Sequence, residues 1–265
     1  MEASRARATF GRTRDHECAS PFQTQGTPVS SLPKTSNYIA QNTLLASLDE
    51  GACHRLLARA SPVELSAGDL LYDACIPLER MYFPATSVVS LQYDLAGGSS
   101  AELAAVGDEG LVASALFDAG PTTPSRAVVM SAGWAYVVSG DPVAAQLGVG
   151  CSIPVQLSSY THVLLGQMAQ AALCNADHTE EQRLSRWLLM RFDRNGSDEL
   201  DVTQQALAHA VWLGFASALF VLAKLRRAGV VHFGRDHLSL RDREALNEHS
   251  CSCYQAIKRL GSLSF

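Results

Sequence analysis

Apolar positions along this chain change their period twice. Between Asn42 and Ala60, Leu44, Leu45, Leu48, Leu56 and Leu57 fall at helical spacing and Asp49-Glu50-Gly51 interrupts them, which predicts a pair of short helices. From Val63 to Ser139 the apolar stretches shorten to strand length and are punctuated by Gly, Pro and Asp. The predicted strands are Val63 to Leu65, Leu70 to Tyr72, Arg80 to Phe83, Ser87 to Tyr93, Ala101 to Val106, Ala127 to Ser131 and Trp134 to Ser139. Turns fall at Ala67-Gly68-Asp69, Ala96-Gly97-Gly98, Val106-Gly107-Asp108 and Ala132-Gly133, a rhythm that fits a compact β-roll. Gly110 to Phe117 breaks the rhythm as a short helical piece, either the border of a ligand pocket or a plain connection.

Helical spacing then returns. Pro154 to Asn175 reads as one long helix in which Leu157, Thr161, Leu164, Met168, Ala171 and Asn175 recur at alternating intervals of four and three. That stripe predicts either a dimer seam, through Leu157, Leu164 and Met168, or a face packed on the β-domain of the same chain. The seam is the working expectation. Thr179 with Gln182 forms a capping box for a helix to about Phe192, which Asp193-Arg194-Asn195-Gly196 ends. Thr203 caps a helix through Ala210, and after a tight connection Phe215 to Ala228 forms another, ending at Gly229. Val230-Val231-His232-Phe233, a turn at Gly234-Arg235-Asp236, and His237-Leu238-Ser239-Leu240 read as a β-hairpin. Helix, turn, helix and hairpin in this order predict a winged helix-turn-helix.

The expected class is therefore α+β. Residues 1–38 form a flexible tail, 39–153 a β-roll sensor domain, 154–176 a connecting helix and 177–265 the winged helix-turn-helix domain. A length of 265 residues suits two domains, and 47% hydrophobic residues supply their cores. The net charge of −5 hides an uneven distribution. Lys and Arg number 4 against 12 Asp and Glu over residues 41–176, but 12 against 11 over 177–265, where five of the eight His also lie. Contact with a polyanion belongs in that last segment. Seven Cys without a repeating spacing argue against a disulfide framework, and no stretch has the length of a signal peptide or a membrane span, so the expected location is the cytoplasm.

In Leu78-Glu79-Arg80-Met81-Tyr82-Phe83-Pro84, Val106-Gly107-Asp108-Glu109-Gly110-Leu111-Val112, Ala172-Leu173-Cys174-Asn175, His178, Glu181-Gln182-Arg183-Leu184, Arg186-Trp187-Leu188-Leu189, Thr203-Gln204, Leu207-Ala208, Leu225 and Arg227-Ala228-Gly229, the chain resembles the Crp/Fnr family of bacterial transcription regulators. The resemblance implies a sensor domain that controls a DNA-binding homodimer. Its recognition helix departs from the family pattern. Phe215, Ala216 and Phe220 stand where polar side chains read base edges, Trp212 replaces the turn glycine, and Ser217 is the only hydroxyl on the expected recognition face. Two readings follow. In the first, Ser217, Lys224, Arg226, Arg227, His232, Arg235 and His237 bind DNA through phosphates and shape. In the second, the member is degenerate, specific DNA binding is gone, and Trp212, Leu213, Phe215, Leu219 and Phe220 form a protein-binding patch. Leu219 and Leu222 are assigned to the core, and Phe215 and Phe220 are not.

In the sensor half, the positions nearest to the ribose-binding and phosphate-binding groups of cyclic-nucleotide-binding members are Glu109 and Arg126. Arg126 is followed by Ala127 and sits in an acidic domain, so an unidentified effector is expected rather than a cyclic nucleotide. Cys174 and His178 stand four apart, but two ligands do not make a metal site, and a capping or core role is expected for them. His249, Cys251 and Cys253 are expected on a surface helix. Only Cys18 lies well before the β-roll, against an iron-sulfur cluster there. No phosphate-cradling loop, nucleophile elbow or zinc-protease helix is present, so neither catalysis nor a cofactor or metal is expected.

Overall fold

The computed structural model describes residues 41–94, 100–116, 122–139 and 153–262. The tail expected over residues 1–38 and the turn at Gly97-Gly98 lie outside these residues.

The β-roll opens with α1 (Thr43–Ala46) and α2 (Glu50–Leu57) and continues through β1 (Ala60–Leu65), β2 (Leu70–Tyr72), β3 (Arg80–Pro84), β4 (Val88–Asp94), β5 (Ser100–Val106), β6 (Ser125–Ser131) and β7 (Gly133–Ser139). Their bounds follow the predicted strands to within a few residues. Two antiparallel sheets, ordered β1-β7-β3 and β2-β6-β4-β5, face each other. Between them lie Met81, Phe83, Val89, Leu91, Val106, Val129 and Val138, the alternate residues that the pleat turns inward. Asn42 closes one end. It is fully buried, its Oδ1 caps α1 by accepting from Leu45 N at 2.9 Å, and its Nδ2 donates to the carbonyls of Pro84 and Gly110 at 2.8 and 2.9 Å. The expected helical piece is a single 3₁₀ turn at Ser114–Leu116.

The long helix α3 (Ile153–Asp177) lies against this roll. Leu157, Tyr160 and Leu164 are buried in the roll's own core, and Met168 packs beside them. The dimer seam expected at Leu157, Leu164 and Met168 is thus corrected: those side chains are covered by their own domain. Tyr160 donates to the Leu111 carbonyl at 3.0 Å. Gly110 is required beneath it, because a Cβ there would come within 2.5 Å of the Tyr160 ring.

The second core gathers around α4 (Glu180–Asn195), whose Thr179–Gln182 capping box forms and whose end is closed by Gly196 in the left-handed conformation. After it come β8 (Glu199–Asp201), α5 (Gln204–Ala210), α6 (Phe215–Arg227), β9 (Val231–Phe233), β10 (His237–Leu240), α7 (Arg243–Glu248) and α8 (Cys253–Ser262). The predicted hairpin β9-β10 gains β8 as a third strand, in the order β8-β10-β9. Leu184, Leu188, Leu207, Leu225, Leu238 and Leu246 fill the interior. Asp193 fastens the C-terminal helices to α4, accepting from Arg243, from Tyr254 Oη at 2.8 Å and from Lys258 Nζ at 3.0 Å.

Burial acts to raise the Asp193 carboxyl, but the hydrogen bonds from Lys258, Tyr254 and Arg243 outweigh it and hold the group below the ordinary aspartate range. A depressed folded pKa contributes stability that is present above the unfolded value and lost as pH falls through the folded one. Asp193→Asn is expected to cost about 1–2 kcal/mol at neutral pH and to flatten the acid limb of the stability curve, read by urea unfolding across pH.

Candidate nucleic-acid interface and effector pocket

Helices α5 and α6 meet through a turn whose geometry explains the residue found there. Trp212 has φ 54°, the left-handed conformation for which glycine is the usual choice. The position of the turn is kept, and the departure is in the side chain. Arg183 supports it from α4: its Nη2 donates to the Val211 and Trp212 carbonyls at 2.5 and 3.0 Å, and its Nε donates to Asn175 Oδ1 at 3.1 Å. One guanidinium therefore joins the end of α3 to the turn between α5 and α6. Sequence reasoning assigned no role to Arg183, since its three acceptors lie 8, 28 and 29 residues away.

Helix α6 buries Ala218, Val221, Leu222 and Leu225 and leaves Phe215 and Phe220 exposed at 52% and 65%, with Trp212 at 38%. Leu222 is core as expected and Leu219 is half-buried. Ser217 is half-buried on the same helix. The cationic positions divide into two groups. Arg226, Arg227, His232 and Arg235 are exposed at the end of α6 and on the hairpin, and among the described residues no carboxylate pairs with them. Lys224 and His237 are already engaged. Lys224 pairs with Glu181, which also accepts from His249 Nδ1 at 2.6 Å, and the Lys224 hydrogen bond is the main reason that carboxyl stays below the ordinary glutamate range. His237 sits between Glu199 and Asp201, and hydrogen bonds to Asp201 and Glu199 raise its pKa. Its charge is committed to those carboxylates, which makes it a poor phosphate ligand.

Glu109 and Arg126 do not converge. Glu109 Oε1 accepts from Arg194 Nε on α4 at 2.7 Å, while its Oε2 accepts from Gly107 N at 3.1 Å. Burial works against the Arg194 charge, but the Glu109 carboxylate outweighs it and the guanidinium is raised above the ordinary arginine range. Arg126 pairs with Asp94 at 2.7 Å and Asp73 at 3.5 Å. The two ligand-binding candidates thus lie in separate ion pairs, Glu109 in one that ties the roll to α4 and Arg126 in one on the surface of the roll.

A cavity of about 170 Å³ lies elsewhere, between the roll and α3, bounded by Leu78, Leu91, Leu111, Leu164 and Met168 and by the hydroxyl-bearing Tyr72, Tyr93, Thr123, Ser125 and Thr161. Among the described residues no Lys or Arg lines it. The roll also meets α4 through Trp187 Nε1, which donates to Glu102 at 2.8 Å, and through Arg191, which donates to Ser131 Oγ at 3.0 Å and lies over the Trp187 ring. Burial depresses the Arg191 guanidinium to about 10.

Residues 182–249 match the Crp-like helix-turn-helix domain family. No curated protein matches the chain. Similar solved structures include FixK2 from Bradyrhizobium japonicum, at 18% identity and a TM-score of 0.61, covering 72% of this chain and 98% of that one. A putative transcriptional regulator of the Crp/Fnr family from Eubacterium rectale is similar at 10% identity and a TM-score of 0.63, covering 78% and 96%. The c-di-GMP responsive global regulator CLP of Xanthomonas campestris is similar at 20% identity and a TM-score of 0.59, covering 72% and 99%. At these identities the likeness establishes a shared fold.

Glu109→Gln removes the charge that accompanies buried Arg194. The expected result is a loss of about 1–3 kcal/mol in urea unfolding, with no change in the binding of cyclic nucleotides, measured calorimetrically.

Proposed function

We propose that this chain, with its Crp-like helix-turn-helix domain on the fold of the Crp/Fnr regulators, is a dimeric DNA-binding transcription regulator of Crp/Fnr type. The observation that carries the reading is the match of residues 182–249 to that domain family, combined with a free cationic edge formed by Arg226, Arg227, His232 and Arg235. DNA is its partner through phosphate contacts and shape, because the start of α6 presents Phe215 and Ala216 where base-edge donors are needed. A DNA partner implies work in the cytoplasm, and among the described residues no helix is long and apolar enough to cross a membrane.

Dimerisation uses the outer stripe of α3. Val155, Ser158, His162, Leu165, Ala169, Ala172 and Ala176 are exposed and recur at intervals of three and four, the spacing that brings two helices together in a coiled-coil-like contact. Small residues in this stripe allow close approach, and Leu165 supplies the apolar anchor. The effector occupies the cavity between the roll and α3. With aliphatic walls, several hydroxyls and no cation, it suits a small uncharged ligand better than a cyclic phosphate.

Binding of the full chain to mixed-sequence duplex DNA across a salt series tests the reading. The double variant Arg226→Ala/Arg227→Ala is expected to lower the slope of log affinity against log salt by about 2, one unit for each phosphate left without its arginine, while Lys224→Ala changes it little. No binding by the intact dimer at low salt overturns the reading in favour of a protein contact through Trp212, Phe215 and Phe220.

Leu165→Asp is expected to yield a folded monomer in sedimentation equilibrium. Leu164→Asp, one residue away and buried in the roll, is expected to unfold the sensor domain instead.

A further inference from the structure

The end of α3 and the junction of α7 with α8 bring together side chains that are far apart in sequence. Cys174 of α3, His178 just after it, and Cys251 and Cys253 at the start of α8 each present one donor atom, and all four atoms lie within 4.8 Å of one another. The three thiols are buried and free of disulfides, and they form an apolar cluster separate from the two domain cores. This corrects the expectation that Cys251 and Cys253 sit on a surface helix. His249 does not join them, being turned to Glu181.

Two of the donor-to-donor spacings match a tetrahedral site. Metal bonds of about 2.3 Å to sulfur and about 2.0 Å to nitrogen place neighbouring donor atoms about 3.5–3.8 Å apart. Here Cys174 Sγ and Cys251 Sγ are 3.5 Å apart, and Cys253 Sγ and His178 Nδ1 are 3.6 Å apart. Each of these pairs spans the helix contact, and together they supply the Cys₃His set of structural zinc sites. The surroundings suit the resulting charge. Three thiolates, a neutral imidazole and Zn²⁺ sum to −1, and the buried guanidinium of Arg186 lies beside Cys174 with its Nε unpartnered. Gln170 Nε2 donates to Cys253 Sγ at 3.0 Å, which orients that sulfur and stabilises its thiolate.

We propose that Cys174, His178, Cys251 and Cys253 bind one Zn²⁺ ion that clasps the C-terminal helix to the end of the connecting helix. Binding releases the thiol protons to solvent and leaves the imidazole neutral, with no change of oxidation state. The ion ties α8 to the same end of α3 from which Asn175 engages Arg183 and, through it, the helix-turn-helix turn. Zinc loading therefore fixes the DNA-binding unit on the coupling helix. This reading depends only on the four donors and stands whether or not DNA is the partner.

The test uses the full chain, purified under reducing conditions without chelator. Elemental analysis is expected to give about one Zn²⁺ per chain, and Co²⁺ added to the metal-free protein is expected to produce thiolate-to-cobalt charge transfer and intense tetrahedral ligand-field bands. Cys253→Ser and His178→Ala are expected to weaken Co²⁺ binding at least about tenfold, whereas Cys75→Ser, at an exposed cysteine outside the cluster, leaves it unchanged. A reduced wild-type protein that holds no zinc and gives only the weak spectrum of octahedral cobalt overturns the proposal. So does mass spectrometry that finds Cys174 bonded to Cys251 in protein isolated without oxidant.

Discussion

Helix α3 carries two stripes at the same alternation of three and four residues, and the chain it belongs to covers only one of them. The stripe of Leu157, Tyr160, Leu164 and Met168 is sealed against the β-roll, and pulling it away would expose several large side chains at roughly 1.5–3 kcal/mol each. That burial fixes which way the helix is turned, and everything else follows from its rotation. Val155, Leu165 and Leu173 are left facing solvent, Cys174 points toward the C-terminal helix, and Asn175 meets Arg183. A rotation of α3 by a third of a turn would change all of these contacts at once. An event that shifts α3 against the roll is therefore felt at the outer stripe and, through Asn175 and Arg183, at the turn between α5 and α6.

The strands of the roll were readable because their signals are local: apolar alternation between turns marked by Gly, Pro and Asp sets each boundary. The helix-turn-helix was readable for a similar reason, since Thr179, Gln182, Gly196 and Thr203 mark helix ends within three or four residues of where they act. The orientation of α3 was not. Both of its stripes satisfy the same spacing, and only the position of the roll decides which is dry. The ion pairs of Glu109 and Arg126 were not legible because the partners are remote: Arg194 lies 85 residues beyond Glu109, and Asp94 lies 32 before Arg126. The same distance hid the thiol cluster. Two pairs separated by some 75 residues each look too small for a site until the fold of the C-terminal helices places them face to face.

The recognition helix shows what a change of side chain does when the backbone is kept. Trp212 takes the left-handed conformation that a glycine takes without strain, so the turn survives at a cost of about 1–2 kcal/mol that the Arg183 hydrogen bonds to its carbonyl and to that of Val211 help to offset. With the turn intact, α6 still lies across the domain with its buried face, Ala218, Val221, Leu222 and Leu225, in the same core as Leu207. The geometry for docking a helix in a groove is thus separate from the chemistry for reading what the groove contains. On the proposed reading, the basic residues at the end of α6 and on the hairpin supply attraction to phosphates, and Phe215 supplies apolar contact of the kind that meets a thymine methyl or a deformed step but carries no donor pattern. On the proposed reading, discrimination between sites comes from how easily each sequence takes the shape that the dimer imposes. In the proposed dimer, the half-site separation set by how two copies meet along α3 would then have more influence over specificity than any side chain of α6.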